Sequence, residues 1–480
     1  MNGVSRKKLS SVVILSALAS VLPLSATDAS FPGSNGRIAF EFDNKILTVD
    51  PPDGSPEEVP GPTLVGADPA WSPDGSRIAF VGQGAGNEDI FVMHANGSHR
   101  RRLTTGSVNE DPSWSPDGAK IVYVRRGFSD SFPNPGSDRE IVTMNADGSD
   151  MERLTDNTWT DDEPAWSPDG TQIVFIGRGI PDSPPNTGSD AVQVMDDDGD
   201  NVTIFQYHGG PDEYPAWSPD GEAIAWEFSS NIAVKDAGTG DVDPDTIESL
   251  TGTHDDAIDG FQPAWSPDGS KIAFVGRRPD QQADYEMYLI DSDDGGNQTQ
   301  VTEEMDLPVA SGAPDWQPIP ICTQTGGPGG QVLVGTSDPD VLCGGAGDDV
   351  LKGKGDNDIL IGGGGDDDLV GGGGNDITRG DKGKDTADYR TSAKAVDASL
   401  KKEFATGHGR DVLVLVEIIK GSDFGDDLQG AAGANVLKGG LGNDQLDVRD
   451  GVRGNDSVDG GPGAHDVCRK DRRDTATGCP

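Results

Sequence analysis

The chain has 480 residues, enough for more than one domain, and 83 acidic against 37 basic side chains give it a formal charge of −46. That balance excludes nucleic acid and anionic membrane as partners and leaves cations or basic surfaces. Carboxylates at such density repel one another, so an acidic region without metal should be expanded and should compact when divalent cations neutralise it.

At the N-terminus, Arg6, Lys7 and Lys8 precede an apolar run from Leu9 to Leu22, and the small residues after Pro23 offer cleavage after Ala26 or Ala29. Residues 1–29 read as a secretory signal peptide. The alternative is an uncleaved anchor, for which the apolar run is short. No cysteine lies nearby, which excludes a lipoprotein anchor, and no other segment reads as membrane-spanning.

From residue 31 to 320 the chain repeats a unit marked by WSPDG at 71–75, 114–118, 166–170, 217–221 and 265–269, with a degenerate copy at Trp316-Gln317-Pro318. Each copy is followed by a β-rich run such as RIAFV, a second such as DIFVMHANGS, and then RRLT or ERLT. Pro-Asp at the centre of a turn closed by Gly makes a type I turn, so each unit of roughly 45 to 50 residues is a four-stranded meander, the size of a propeller blade. The first unit begins midway, at Asn35, and the last stops after Trp316, so the terminal strand can supply the innermost strand the first unit lacks. Six blades close in this way. The pattern resembles the TolB-type propeller with PD40 repeats, over nearly all of 34–318. The WSPDG residues themselves are scaffold: the Trp packs between blades and the turn shapes the rim.

Successive turns of a meander alternate between the two faces of a propeller, so the SPDG and NADGS turns share one face and the longer connections share the other. On the second face two loops are extended and alike, at 127–140 and 179–191. The same face carries Glu110, Asp111, Asp162, Glu163, Asp212 and Glu213 where the chain enters innermost strands of neighbouring blades. They could hold a metal ion or a basic partner at the channel mouth, or they cap turns and keep the surface soluble.

After a linker at 321–334, residues 335–388 form six nine-residue units in unbroken register, each with glycine first and aspartate sixth: Asp340, Asp349, Asp358, Asp367, Asp376 and Asp385. Glycine permits a tight turn, the aspartate supplies a hard anionic oxygen, and positions seven to nine hold a short strand with Leu342, Leu351, Leu360 and Leu369 at position eight. Oxygen ligands at this density suit Ca²⁺; a disordered Gly-Asp tract would not keep this phase. The units resemble the RTX, or haemolysin-type, calcium-binding repeat. That resemblance implies a parallel β-roll in which aspartates stack as 340 with 358, 349 with 367, 358 with 376 and 367 with 385, giving about four sites if each is filled. Thr336, Asp338 and Asp381 replace glycines, and Thr378 and Ala387 replace the large aliphatic residue, so the ends depart from the pattern.

A spacer at 389–420 alternates apolar and polar residues around Val412–Ile419 and reads as further β structure. A second block, 421–468, keeps Asp426 and Asp444 but has Asn435 at a sixth position; after a three-residue slip it keeps Asp456, and His465 then stands where aspartate is expected. Four cysteines flank the repeats, and in an exported chain proximity favours Cys322 with Cys343 and Cys468 with Cys479 among three connectivities, the second closing a cap at 469–480. A zinc site is the alternative, although the spacings match no usual pair.

No G-x-S-x-G elbow and no H-E-x-x-H motif occurs. The expectation is therefore an all-β, exported, non-enzymatic protein that binds several Ca²⁺ ions. A six-bladed propeller serves as an interaction platform for a protein or cell-surface partner, followed by the calcium-stabilised RTX roll. It would act in adhesion, as a scaffold or at the cell envelope, and be secreted by the general route or retained at the envelope. The alternative is a metal-dependent propeller enzyme, a polysaccharide lyase or peptidase-like protein, with His208 and His254 gathered at the channel.

Overall fold

The computed structural model describes residues 33–479 apart from 52–53, 61–65, 85, 128–138, 158, 181–188, 208–211, 239–246, 252–257, 279–284, 294, 303–304, 306–313 and 464. The segment expected as a signal peptide, His208, His254, the tips of the two extended loops and the side chain of Asp212 lie outside the described residues. The described residues form strands and turns and no helix.

Six four-stranded antiparallel sheets make the propeller. Strand Asp315–Ile319 pairs with Ser34–Phe42 and becomes the inner strand of the first blade, so the ring closes through the two ends of the domain. The WSPDG motif explains itself locally. In the second blade Ser72 Oγ donates to Asp74 Oδ1 and accepts from the Arg77 N–H, while Asp74 Oδ1 accepts from the Ser76 N–H. The same ties recur at Ser115 with Asp117 and Ser167 with Asp169. Gly118 takes a φ of +64°, and a Cβ there would lie 3.4 Å from Pro73 of the preceding blade, so the turn also spaces neighbouring blades. Trp114 is buried among Val81, Ile90 and Val92 of the preceding blade, and Trp217 among Val174 and Val192 of its own predecessor.

From Gln324 onward the chain winds into two sheets, one of 10 strands and one of 8, parallel throughout except at the strand Phe404–Thr406. Alternate nonads feed alternate sheets: Leu342 lies over Leu360 in one, Leu351 over Leu369 in the other. These four leucines are at most 1% exposed and form one core between the sheets. The roll is longer at both ends than the expected boundaries. The segment expected as linker supplies strands Gln324–Thr325 and Val332–Val334, and the tail adds Thr475–Thr477 to the 8-stranded sheet.

The spacer continues the same solenoid. Arg410–Val414 pairs in parallel with Ile377–Lys382, a hairpin of Asp397–Ser399 and Phe404–Thr406 widens that sheet, and Ile418–Lys420 extends the other. Its Leu413 and Ile419 join a buried cluster with Leu428, Leu437 and Leu446 of the second block. Cys322 is bonded to Cys343 and Cys468 to Cys479, one bridge at each end of the roll.

The roll docks on the WSPDG face of the propeller. Asn375 donates to Asp117 Oδ2 (3.0 Å), Arg379 to the Asp74 carbonyl (3.0 Å), and Arg410 pairs with Asp147 (2.9 Å). At the tip of the spacer hairpin Glu403 meets His94 Nε2 at 2.6 Å and Arg77 at 3.8 Å. The opposite propeller face, with the longer connections, is not part of these contacts.

Candidate metal centres

The position-six aspartates form two ladders along the roll. The Asp340 N–H donates to Asp358 Oδ1 (2.8 Å), Asp349 to Asp367 (2.8 Å), Asp358 to Asp376 (3.0 Å) and Asp367 to Asp385 (2.9 Å), so all four pairs implied by the repeat are stacked neighbours. The other carboxylate oxygen of Asp349, Asp358, Asp367, Asp376 and Asp385 is buried and meets no hydrogen-bond donor. Leaving an anionic oxygen buried without a partner is costly, which is the mark of a place built for a cation. Burial, aided by the stacked carboxylates, pushes Asp358 up to about 8 and Asp385 up to about 7.

The glycine at position one completes the cradle. A Cβ on Gly353 would lie 2.1 Å from Asp358 Oδ2 and 2.6 Å from the Gly371 carbonyl oxygen; on Gly344 it would lie 2.6 Å from both Asp349 Oδ2 and the Gly362 carbonyl. A carboxylate oxygen and a main-chain carbonyl of the next turn therefore converge where no side chain can stand. This donor set is all hard oxygen and fits Ca²⁺, which takes roughly 6 to 8 such ligands. No group of three or more His, Cys, Asp or Glu side chains suited to a metal occurs among the described residues, so main-chain carbonyls must carry part of any coordination.

The ends of each block differ. Asp340 Oδ2 accepts from the Thr336 N–H and hydroxyl, and Asp426 accepts from the Ser422 N–H and hydroxyl, so protein donors meet these two carboxylates. In the second block Asp426 stacks on Asp444, and Asn435 on Asp456. The expectation that His465 takes the aspartate position is corrected: strand pairing sets Val467 beside Gln445, and the Asp444 N–H donates to Asp466 Oδ1 (3.0 Å). One extra residue ahead of Asp466 hides this from a strict count of nine. Sequence reading also missed Asp411 and Glu417, which extend the ladders into the spacer by accepting from the Asp376 and Asp385 N–H groups, and Asp474, whose neighbour Thr475 pairs with Ser457.

On the propeller, the carboxylates expected at the channel mouth are gathered but largely paired. Arg139 bridges Glu110 (3.2 Å) and Asp162 (2.8 Å), Arg126 binds Glu110 (3.0 Å), and Arg178 reaches Asp162, Glu163 and Glu213 at 2.8, 2.9 and 3.2 Å. Asp111 and Glu163 belong to a ring of which the sequence reading named these two alone. Asp68, Asp111, Glu163, Tyr214 and Gln262 occupy one position in successive blades, each with φ between +46° and +56° and each followed by proline. The signal was an x-Pro-x-Trp pattern just ahead of each SPDG.

This ring stitches blades together around the channel. The Tyr214 N–H donates to Glu163 Oε2 and the Trp71 N–H to Asp315 Oδ2, both at 2.6 Å. Burial, then the charge of Glu41, pushes Asp68 up to about 7, and burial with the charge of Asp68 holds Asp111 well above the usual carboxylate range. The two carboxyls thus raise one another's pKa, as like charges in a confined place do. Among the described residues no histidine lines this channel.

Comparison with known proteins agrees with this architecture. The profile of the TolB β-propeller domain, PD40, matches residues 57–132, and that of the RTX calcium-binding nonapeptide repeat matches 325–360, 353–387 and 420–453. An uncharacterized protein of Agrobacterium fabrum is 33% identical over 161 residues, 32% of this chain, and the chain spans about half of that relative, 52%. Hydrazine synthase of Kuenenia stuttgartiensis superposes with a TM-score of 0.50 at 16% identity, over 61% of this chain and 49% of that one, a likeness of fold alone. TolB of Acinetobacter baumannii gives a TM-score of 0.47 at 22% identity, over 59% of this chain and 67% of that one. The protein thus joins a six-bladed propeller of TolB type to a β-roll of RTX calcium-binding nonapeptides.

Proposed function

We propose that the protein is an exported, non-enzymatic calcium-binding protein whose roll is completed by calcium and whose propeller presents its free face to a protein or cell-surface partner. The observation that carries the reading is the run of buried carboxylate oxygens without donors at Asp349, Asp358, Asp367, Asp376, Asp385, Asp444 and Asp456. With Asp340 and Asp426 these are the proposed calcium ligands. Bound calcium would supply positive charge and bridge oxygens of consecutive turns, so that a chain of net charge −46 can compact. The protein's own part is to set the carboxylates at fixed spacing on stacked strands and to keep side chains out of the cradles through position-one glycines.

The propeller half of the reading rests on geometry. The roll occupies the WSPDG face, which leaves the face of longer connections for a partner; there Glu110, Asp162, Glu163 and Glu213 are paired with Arg126, Arg139 and Arg178, so a partner would meet a mixed network of both charges. Export rests on the N-terminal pattern of residues 1–29 and on the two disulfides, which persist in oxidising compartments. The test is calcium binding by the full chain, measured by calorimetry: binding should weaken when Asp358 and Asp367 are replaced by Asn. Equal binding by that variant would remove the assignment of these ligands.

A further inference from the structure

We propose that the spacer, which carries no nonapeptide motif, completes one more calcium site in the roll, formed by the Asp385 carboxylate, the Leu415 carbonyl and Glu417. The proposal rests on the calcium reading of the repeats and extends it to residues between the two matched segments, 353–387 and 420–453.

The geometry at Gly380 repeats that of the motif cradles. A Cβ on Gly380 would lie 2.5 Å from Asp385 Oδ2 and 2.3 Å from the Leu415 carbonyl oxygen, as a Cβ on Gly344 would lie against Asp349 Oδ2 and the Gly362 carbonyl. Leu415 thus supplies the oxygen that a position-one glycine supplies elsewhere. It does so with φ at +52°, a left-handed conformation uncommon for leucine, so the turn is held there by its surroundings. Asp385 is 0% exposed; its Oδ1 accepts from the Asp367 N–H, and its Oδ2, facing the cradle, has no donor. Glu417 takes the place of the next aspartate: its Oε2 accepts from the Asp385 N–H at 2.9 Å, while the strands pair Thr386 with Ile418 in the register of the ladder. The longer side chain spans the gap left by an irregular turn.

The other ladder crosses the spacer differently. Asp411 accepts from the Asp376 N–H, but the Tyr389 hydroxyl also donates to Asp411, and His408 Nδ1 bonds the Gly372 carbonyl at 2.5 Å. The Tyr389 hydroxyl thus claims an Asp411 oxygen that an ion would need, although Asp376 Oδ2 itself has no donor. The spacer therefore extends one calcium ladder and plugs the other.

The test counts ions on the full-length protein with Ca²⁺ as the only probe, by native mass spectrometry and calorimetry. Gly380→Ala, which needs no positive φ but sets a Cβ 2.3 Å from the Leu415 carbonyl oxygen and so pushes that oxygen out of the cradle, and Glu417→Gln should each bind one ion fewer than the parent or bind it at least tenfold more weakly. Asp411→Asn should keep the full count. Asp358→Asn, which touches only motif sites, is the reference and should also lose calcium. The proposal is overturned if Gly380→Ala and Glu417→Gln keep the parent's count and affinity while Asp358→Asn loses ions. A loss with Asp411→Asn would overturn the plugged-ladder half. A parent that binds no calcium would overturn this site together with the calcium reading of the repeats, an outcome distinct from the first.

Discussion

Asp358 does two tasks with its two oxygens: Oδ1 takes the Asp340 N–H and fixes the stacking of turns, while Oδ2 is buried without a donor. The first task survives replacement by asparagine, the second does not. Asp358→Asn should therefore fold into the same roll, bind calcium at least tenfold more weakly, and melt at a higher temperature than the parent in chelator because a buried charge has gone. Thermal unfolding with calcium and with chelator reads both effects. Gly353→Ala should weaken calcium binding with the charge unchanged, since the new Cβ would lie 2.1 Å from Asp358 Oδ2. A variant that bound calcium normally would contradict the cradle. The phase of these aspartates was legible in the sequence because an unbroken count of nine coincides with the strand register. Asp466 was not legible, because an extra residue breaks the count while strand pairing restores the stack. Of the channel ring, Asp111 and Glu163 were legible near the channel mouth, but Asp68, Tyr214 and Gln262 were not, since these positions are set by a left-handed residue ahead of a proline rather than by the alternation of a regular strand.

Two elements show how closure and docking depend on single side chains. The closing strand of the propeller carries Asp315, whose carboxylate accepts from the Trp71 and Trp316 N–H groups. Burial nevertheless pushes it up to about 7 from its ordinary 3.8. A folded value above the unfolded one means that its contribution is full below about 3.8 and is lost as pH rises through about 7. Asp315→Asn keeps an acceptor without the charge, so it should change the propeller's melting temperature little at pH 4 and raise it at pH 8. The opposite ordering would contradict the assignment. The spacer hairpin carries Glu403 at a φ of +60°, set between His94 and Arg77. Burial alone would raise its pKa; the His94 hydrogen bond and the Arg77 charge more than offset that and hold it below 4.5. Glu403→Ala takes this carboxylate from the buried Arg77 and leaves it beside the Trp114 ring and the Asp74 charge, so the docked arrangement should loosen and small-angle scattering should report a larger radius of gyration with the calcium-loaded roll intact. An unchanged radius would show that Asn375, Arg379 and Arg410 hold the domains without it. The β character of the spacer was legible around Val412–Ile419, but its hairpin and docking role were not: they depend on contacts with residues some 300 positions earlier in the chain, as between His94 and Glu403.

At the scale of the whole molecule, both repeat arrays and the closure of the ring were legible because a repeat writes its own period into the sequence, and the Asn35 start and Trp316 stop are complementary halves of one blade. The relation between the arrays was not, because the WSPDG turns that read as scaffold also form the surface on which the roll sits. Arg379 and Arg410 in that interface belong to strands on either side of the Asp376 and Asp411 ladder step, so the order of the roll and its hold on the propeller are physically continuous. In the proposed function calcium is the agent that turns an acidic, self-repelling chain into this docked pair of domains. The most direct test is circular dichroism and calorimetric unfolding of the full-length protein, first in chelator and then across a calcium titration. Calcium should add β signal and a cooperative unfolding transition absent in chelator, while the propeller's own transition is present throughout. Identical spectra and a single unchanged transition with and without calcium would contradict it.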